Sequence, residues 1–228
     1  MNNCLQNCLA FVACQAKSGQ QHPRTLPQSV TISRQTGCGA VEIANRLAAR
    51  LQKDCPLPCG WMVFDRNLMD KVLKDHNLPH YMLNLLPEDK VSAIENLLAD
   101  ICDARPSMAE MIKDTTETML GLANLGGVIL IGRAANIATE KVPGALHVRL
   151  IGDLNTRVHN IEKANSLNHA EALQFVLKED KARSNYVKTH FNAEVEKAEL
   201  YDLTLNTSKL SQDAVVAIIS GILAQRRN

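Results

Sequence analysis

Aromatic residues are scarce, at 4% of 228 positions with a single tryptophan. The core must therefore be built from Leu, Ile, Val and Ala, and no aromatic-and-basic stripe of the kind that stacks single-stranded nucleic acid is present. Net charge is nearly absent as well: 25 basic against 24 acidic residues gives +1. No whole-molecule field draws the protein to nucleic acid or to a membrane, so any anion site is local. No apolar run approaches the roughly 20 residues of a membrane span. Regular cysteine spacing is also missing. Seven cysteines, at 4, 8, 14, 38, 55, 59 and 102, are odd in number and irregular, which predicts reduced thiols and a cytoplasmic setting. Cys55-Pro-Leu-Pro-Cys59 reads as a turn between helix and strand, because a structural zinc needs about four ligands and no second pair is suitably spaced.

What is present is ordinary globular composition, 46% hydrophobic and 21% charged. Residues 1–29 are rich in Asn, Gln, Cys and Pro and are expected to be an unstructured or poorly ordered leader. Leu9-Ala-Phe-Val-Ala-Cys14 faintly suggests a lipoprotein cleavage site, but a basic start is missing and the apolar stretch is short. From Val30 short apolar runs alternate with helical periods. Strands are expected at Val30–Ser33, Trp61–Phe64, Val128–Ile131, Leu146–Leu150 and Leu203–Leu205, and a last helix from about Ser211. This is the pattern of an α/β domain over 30–228, a parallel five-stranded sheet flanked by helices. Longer helical stretches at about 67–125 and 153–197 read as insertions, the second as a lid.

Such sheets bind ligands at the carboxyl ends of their strands. The first such turn, Arg34-Gln-Thr36-Gly37-Cys38-Gly39-Ala40-Val41-Glu42, follows a strand and opens a helix. Glycines there let backbone amides approach a phosphate chain, and the helix start adds partial positive charge. Arg133 lies just past the third strand. Asp180 and Arg183 are three apart and share a helix face, either as a functional pair or as a surface ion pair. Arg34 either reaches phosphate or pairs with Asp65, and Asp65 is equally suited to cap the helix that follows. Arg149 and Arg157, around the fourth strand, are expected to be solvated or salt-bridged. Pro79 argues against His76 and His80 as a metal pair, and His147, alternating with apolar neighbours, reads as a sheet histidine. Cys38 reads as a small residue, although a helix start can also lower a thiol pKa.

Ile32-Ser-Arg-Gln-Thr-Gly-Cys-Gly with Glu42-Ile-Ala resembles the loop of the cytidylate kinase-like proteins, relatives of the nucleoside monophosphate kinases. The likeness continues in order through Phe64-Asp-Arg-Asn-Leu68, Ile131-Gly-Arg-Ala-Ala-Asn136, Asp180-Lys-Ala-Arg-Ser-Asn-Tyr186 and Tyr201-Asp-Leu-Thr-Leu-Asn-Thr207. The resemblance implies a P-loop kinase fold, ATP with Mg²⁺, and a nucleoside monophosphate, CMP by name, as small-molecule partner. It also implies that residues 34–42 bind the donor nucleotide, that Asp65, Arg66, Arg133 and Asp180 serve the acceptor, and that Arg133 and Arg183 act on the reacting phosphates. The chain departs from the pattern in its loop. Ala40 stands at the lysine position, Val41 and Glu42 where a magnesium-binding hydroxyl is expected, and Ala134 where an acid usually follows the arginine. Glu42 could hold Mg²⁺ through water or repel the phosphates. Two main readings follow: phosphoryl transfer to a phosphorylated acceptor, or a catalytically impaired nucleotide-binding or regulatory protein. A scaffold that binds no nucleotide is a third.

Overall fold

The computed structural model describes residues 3–21, 28–54, 56–65, 68 and 106–226. Its elements are α1 (Asn3–Gln21), β1 (Ser29–Arg34), α2 (Ala40–Asp54), β2 (Met62–Phe64), α3 (Pro106–Leu125), β3 (Val128–Ile131) and α4 (Ala135–Ala138). They continue with β4 (Ala145–Ile151), α5 (Leu154–Asn165), α6 (His169–Phe191), a 3-10 turn at Ala198–Leu200, β5 (Leu203–Asn206) and α7 (Gln212–Arg226). The strands form one sheet in the order β2-β3-β1-β4-β5, every pair parallel. The five strands are those the sequence predicts, each within a residue of its expected ends.

Alternation along the strands gives the sheet two unlike faces. Val30 and Ile32 of β1, Ile129 and Ile131 of β3, and Leu146, Val148 and Leu150 of β4 pack beneath α2 and α7. The opposite face is apolar towards β2, where Phe64, Val128, Leu130 and Ala145 meet α1, α3 and α4. Nearer β4 it turns polar: Thr31 pairs in register with His147, and Ser33 with Arg149. Thr31 Oγ1 lies 2.9 Å from His147 Nδ1, and burial holds the imidazole below its usual pKa, as befits a sheet histidine.

The amino-terminal segment differs from expectation. Residues 3–21, expected to be unstructured or poorly ordered, form α1. Cys8, Phe11, Val12 and Gln15 are buried, at the i, i+3, i+4, i+7 spacing of a packed helix face. The Phe11 ring meets Phe64 edge-on at 6.4 Å, and Gln15 Nε2 donates to the Gly126 carbonyl at 3.2 Å. The expectation of reduced thiols is corrected at one pair, because Cys14 and Cys59 form a disulfide with Cα atoms 5.7 Å apart. The turn expected at Cys59 is present.

Of the 67–125 stretch, only Leu68 and α3 fall among the described residues. The 153–197 stretch is the helical pair α5–α6. Asp153 caps α5 by accepting from the Thr156 amide, and Asn168 with Glu171 closes a capping box on α6. Val158, Ala172 and Val176 join the two helices through a small core of their own.

Candidate active site

The glycine loop leaves β1 at Arg34 and enters α2 at Ala40. The first amides of a helix have no carbonyl one turn ahead, so this start keeps N–H donors for an anion. Helices α5 and α6 pack directly on the loop. A Cβ on Gly37, whose φ is +85°, would come 2.4 Å from the Arg157 carbonyl oxygen, and Asn160 Nδ2 donates to the Gly37 carbonyl at 2.8 Å. Only glycine fits there. Gly37→Ala combines a left-handed alanine with backbone overpacking and is expected to cost about 2–3 kcal/mol. Urea unfolding measures this, and an unchanged midpoint would mean that α5 is not seated on the loop.

The Asp180 carboxylate reaches the loop from α6. Its Oδ1 accepts from the Thr36 amide at 2.7 Å and from the Thr36 hydroxyl at 2.7 Å. Arg157, buried at the start of α5, donates to Asp180 Oδ2 at 2.6 Å, to the Thr36 carbonyl at 3.1 Å and to the Gly152 carbonyl at 3.0 Å. Arg183 donates to the Thr36 hydroxyl and lies 3.3 Å from both Asp180 Oδ1 and Glu179 Oε2. An acid at the Thr36 amide of the loop is thus held by two guanidiniums. Asp180 and Arg183 are a partly buried pair in which both side chains also touch Thr36, and Arg157 is salt-bridged and buried.

Farther along the loop, Ala40 is buried and Val41 is 50% exposed. Glu42 accepts from Arg46 at 2.8 Å on the exposed side of α2, and Arg46 also pairs with Asp213. Cys38 is buried, and burial pushes its thiol pKa up, against the lowering a helix start can give. The residues do not fit a resident Mg²⁺. No hydroxyl stands at positions 41 and 42, Glu42 is paired with Arg46, and among the described residues no three His, Cys, Asp or Glu cluster for a metal.

Beside the loop a cavity of about 320 Å³ opens at the carboxyl ends of β1, β3 and β4, under α6. Four arginines line it among the described residues: Arg34, Arg133, Arg149 and Arg183. Gly132, Arg133 and Ala134 follow one another at φ +80°, +56° and +56°. Left-handed backbone costs a non-glycine residue about 1–2 kcal/mol, so two such residues at a strand end mark a constrained turn, and it carries Arg133 to the cavity. A Cβ on Gly132 would fall 2.1 Å from Arg34 Nη1, so that glycine leaves the room the guanidinium uses. Burial pushes the Tyr186 phenol up in pKa, partly offset by Arg133 beside it. Asp65 is not in this cavity. It accepts from the Leu68 amide at 2.8 Å, the helix-capping alternative, and Arg66 lies outside the described residues, as do His76 and His80.

The cavity thus joins Arg34, Arg133, Asp180 and Arg183 from the sequence reading, while residues 36–42 form the adjoining loop. Sequence reasoning missed Ser33, Arg149 and Tyr186. Arg149 is not solvated: it is 6% exposed and hydrogen-bonds Tyr201 Oη at 3.2 Å and Ser33 Oγ at 3.4 Å. A signal was available, since Arg149 and His147 alternate with apolar residues in the carboxyl-terminal part of β4, so both fall on one face of the sheet.

Residues 29–209 match the cytidylate kinase-like family. The chain belongs to that family. Among solved structures, an uncharacterized protein from Eubacterium ventriosum superposes with a TM-score of 0.67 at 18% identity, covering 87% of this chain and 99% of that one. A shikimate kinase from Bacteroides thetaiotaomicron gives a TM-score of 0.47 at 10% identity, over 86% of this chain and 98% of that one. A uronate isomerase from Corynebacterium glutamicum is 27% identical over 118 residues, which is 52% of this chain but 23% of that protein. The five-stranded parallel sheet flanked by helices is the fold class the sequence predicts. Among the described residues no helix is long and apolar enough to cross a membrane.

Proposed function

We propose that this cytidylate kinase-like protein transfers a phosphoryl group from ATP to a small phosphorylated acceptor of the nucleoside monophosphate, CMP-like kind. The observation that carries this reading is the convergence of Arg34, Arg133, Arg149 and Arg183, from separate elements, on one cavity beside the glycine loop. Phosphoryl transfer spreads negative charge over the equatorial oxygens, and catalysis is mainly positioning plus cations aimed at that charge. An acceptor phosphate is already ionised. One of its oxygens forms the new P–O bond as the bond to the ADP oxygen breaks, with no protein base required. Arg133 is assigned to the acceptor and Arg183, which spans loop and cavity, to the transferred group. Amides at the start of α2 are assigned to the donor phosphates, and the Thr36 amide becomes available once Asp180 leaves it.

The second reading, nucleotide binding without turnover, draws on that same Asp180 contact and on Ala40 in place of a loop cation. One paired experiment separates the two. Protein with ATP, Mg²⁺ and a CMP-led panel of phosphorylated acceptors is expected to form ADP in an acceptor-dependent way. Calorimetric binding of ATP or CMP with no turnover on any acceptor would instead establish the regulatory reading.

A further inference from the structure

Arg149 is more than nine-tenths buried, yet its hydrogen bonds go only to neutral hydroxyls, Tyr201 Oη and Ser33 Oγ, both through Nη1. Its guanidinium also lies 5.4 Å from the centre of the Tyr201 ring. No carboxylate among the described residues pairs with it. Arg183, which also lines the cavity, is by contrast matched by Glu179 and Asp180. A buried guanidinium without a counter-charge is expensive unless something anionic completes it. Its Nε and Nη2 have no partner among the described residues, and Arg149 lines the cavity. The hydroxyl pair beneath it is itself fixed: Tyr201 Oη donates to the Val195 carbonyl at 2.9 Å and lies 3.2 Å from Ser33 Oγ. Ser33 and Arg149 are register partners on β1 and β4, so the sheet sets the guanidinium's height.

We infer that Arg149 is a specificity residue that seats an oxyanion of the acceptor, phosphate or carboxylate, on the sheet floor of the cavity. The inference rests on the cavity being the acceptor site. It adds that the acceptor presents negative charge to β4, where Tyr201 and Ser33 hold the guanidinium ready. A cavity of about 320 Å³ is at the small end of ligand pockets, which suits a compact anionic acceptor and not a polymer.

The test uses calorimetry and thermal melting of the full chain with inorganic phosphate and, separately, acetate, against chloride at equal ionic strength. The two arms distinguish a phosphate seat from a carboxylate seat. The native protein is expected to bind one of these anions saturably. Arg149→Met should weaken that binding at least tenfold, and Arg149→Lys should recover part of it. Without anions, Arg149→Met should melt no lower than the native protein, because it removes an uncompensated buried charge; a purely structural arginine would give a lower melting temperature. Undiminished anion binding in Arg149→Met, or a lower melting temperature without anions, overturns the inference. Arg149-dependent anion binding with no turnover on any acceptor would uphold the seat and refute phosphoryl transfer.

Discussion

Arg183→Ala is expected to lower kcat by about 10²–10³, the usual loss when one preorganised donor to developing charge is removed. Affinity for ATP should change by less than tenfold, because the amides at the start of α2 do not depend on this side chain. The reason lies in its position: Arg183 lines the acceptor cavity and also donates to the Thr36 hydroxyl of the loop. It therefore stands between the places assigned to donor and acceptor, where a transferring group must pass. Its side chain is 28% exposed and its acidic partners are similarly wet, so the fold should lose less than about 1 kcal/mol. Arg183→Lys should recover only part of the rate, since an ammonium lacks the planar fork. Steady-state kinetics with ATP and acceptor varied separately reads both effects. An unchanged kcat in Arg183→Ala removes the residue from the mechanism.

The sheet was legible because parallel strands covered on both faces spell themselves out as short apolar runs, as Val128–Ile131 does. The loop was legible because strand, glycines and helix follow in order, and the Asp180–Arg183 pair because three residues span one helical turn. Other features had no local signature. The packed face of α1 falls on Cys8, Phe11, Val12 and Gln15, and a cysteine and a glutamine among four residues dilute the apolar signal. The Cys14–Cys59 disulfide joins residues 45 positions apart, and an odd count of irregular cysteines points away from pairing. Arg149 and Arg157 were read as solvated or salt-bridged because most arginines are exposed. Their burial follows from tertiary placement, Arg149 in the cavity beneath α6 and Arg157 wedged between the loop and Asp180. The contact of Asp180 with the Thr36 amide spans 144 residues, and spacing within a motif cannot foretell it.

Arg157→Met is expected to destabilise the protein by about 4 kcal/mol, because removing one partner of a buried ion pair strands the other. For a domain of this size that corresponds to a melting temperature about 10 °C lower. The Arg157 side chain is 8% exposed and that of Asp180 25%, so water compensates the acid only in part. The loss also leaves the Thr36 and Gly152 carbonyls without a donor each. Asp180→Asn alone should cost less, since an amide can still accept from the Thr36 N–H. In the Asp180→Asn background, Arg157→Met should cost 1–3 kcal/mol less than in the native protein, the coupling expected of residues in one network. A double-mutant cycle by urea unfolding measures the difference. Strict additivity would mean that Arg157 stabilises the loop through its carbonyl contacts and packing, independently of Asp180. A coupling of the expected size instead ties α5 and α6 to the loop through this ion pair, so whatever displaces Asp180 from Thr36 must also compensate Arg157. An anionic phosphate can do that, whereas a neutral ligand cannot.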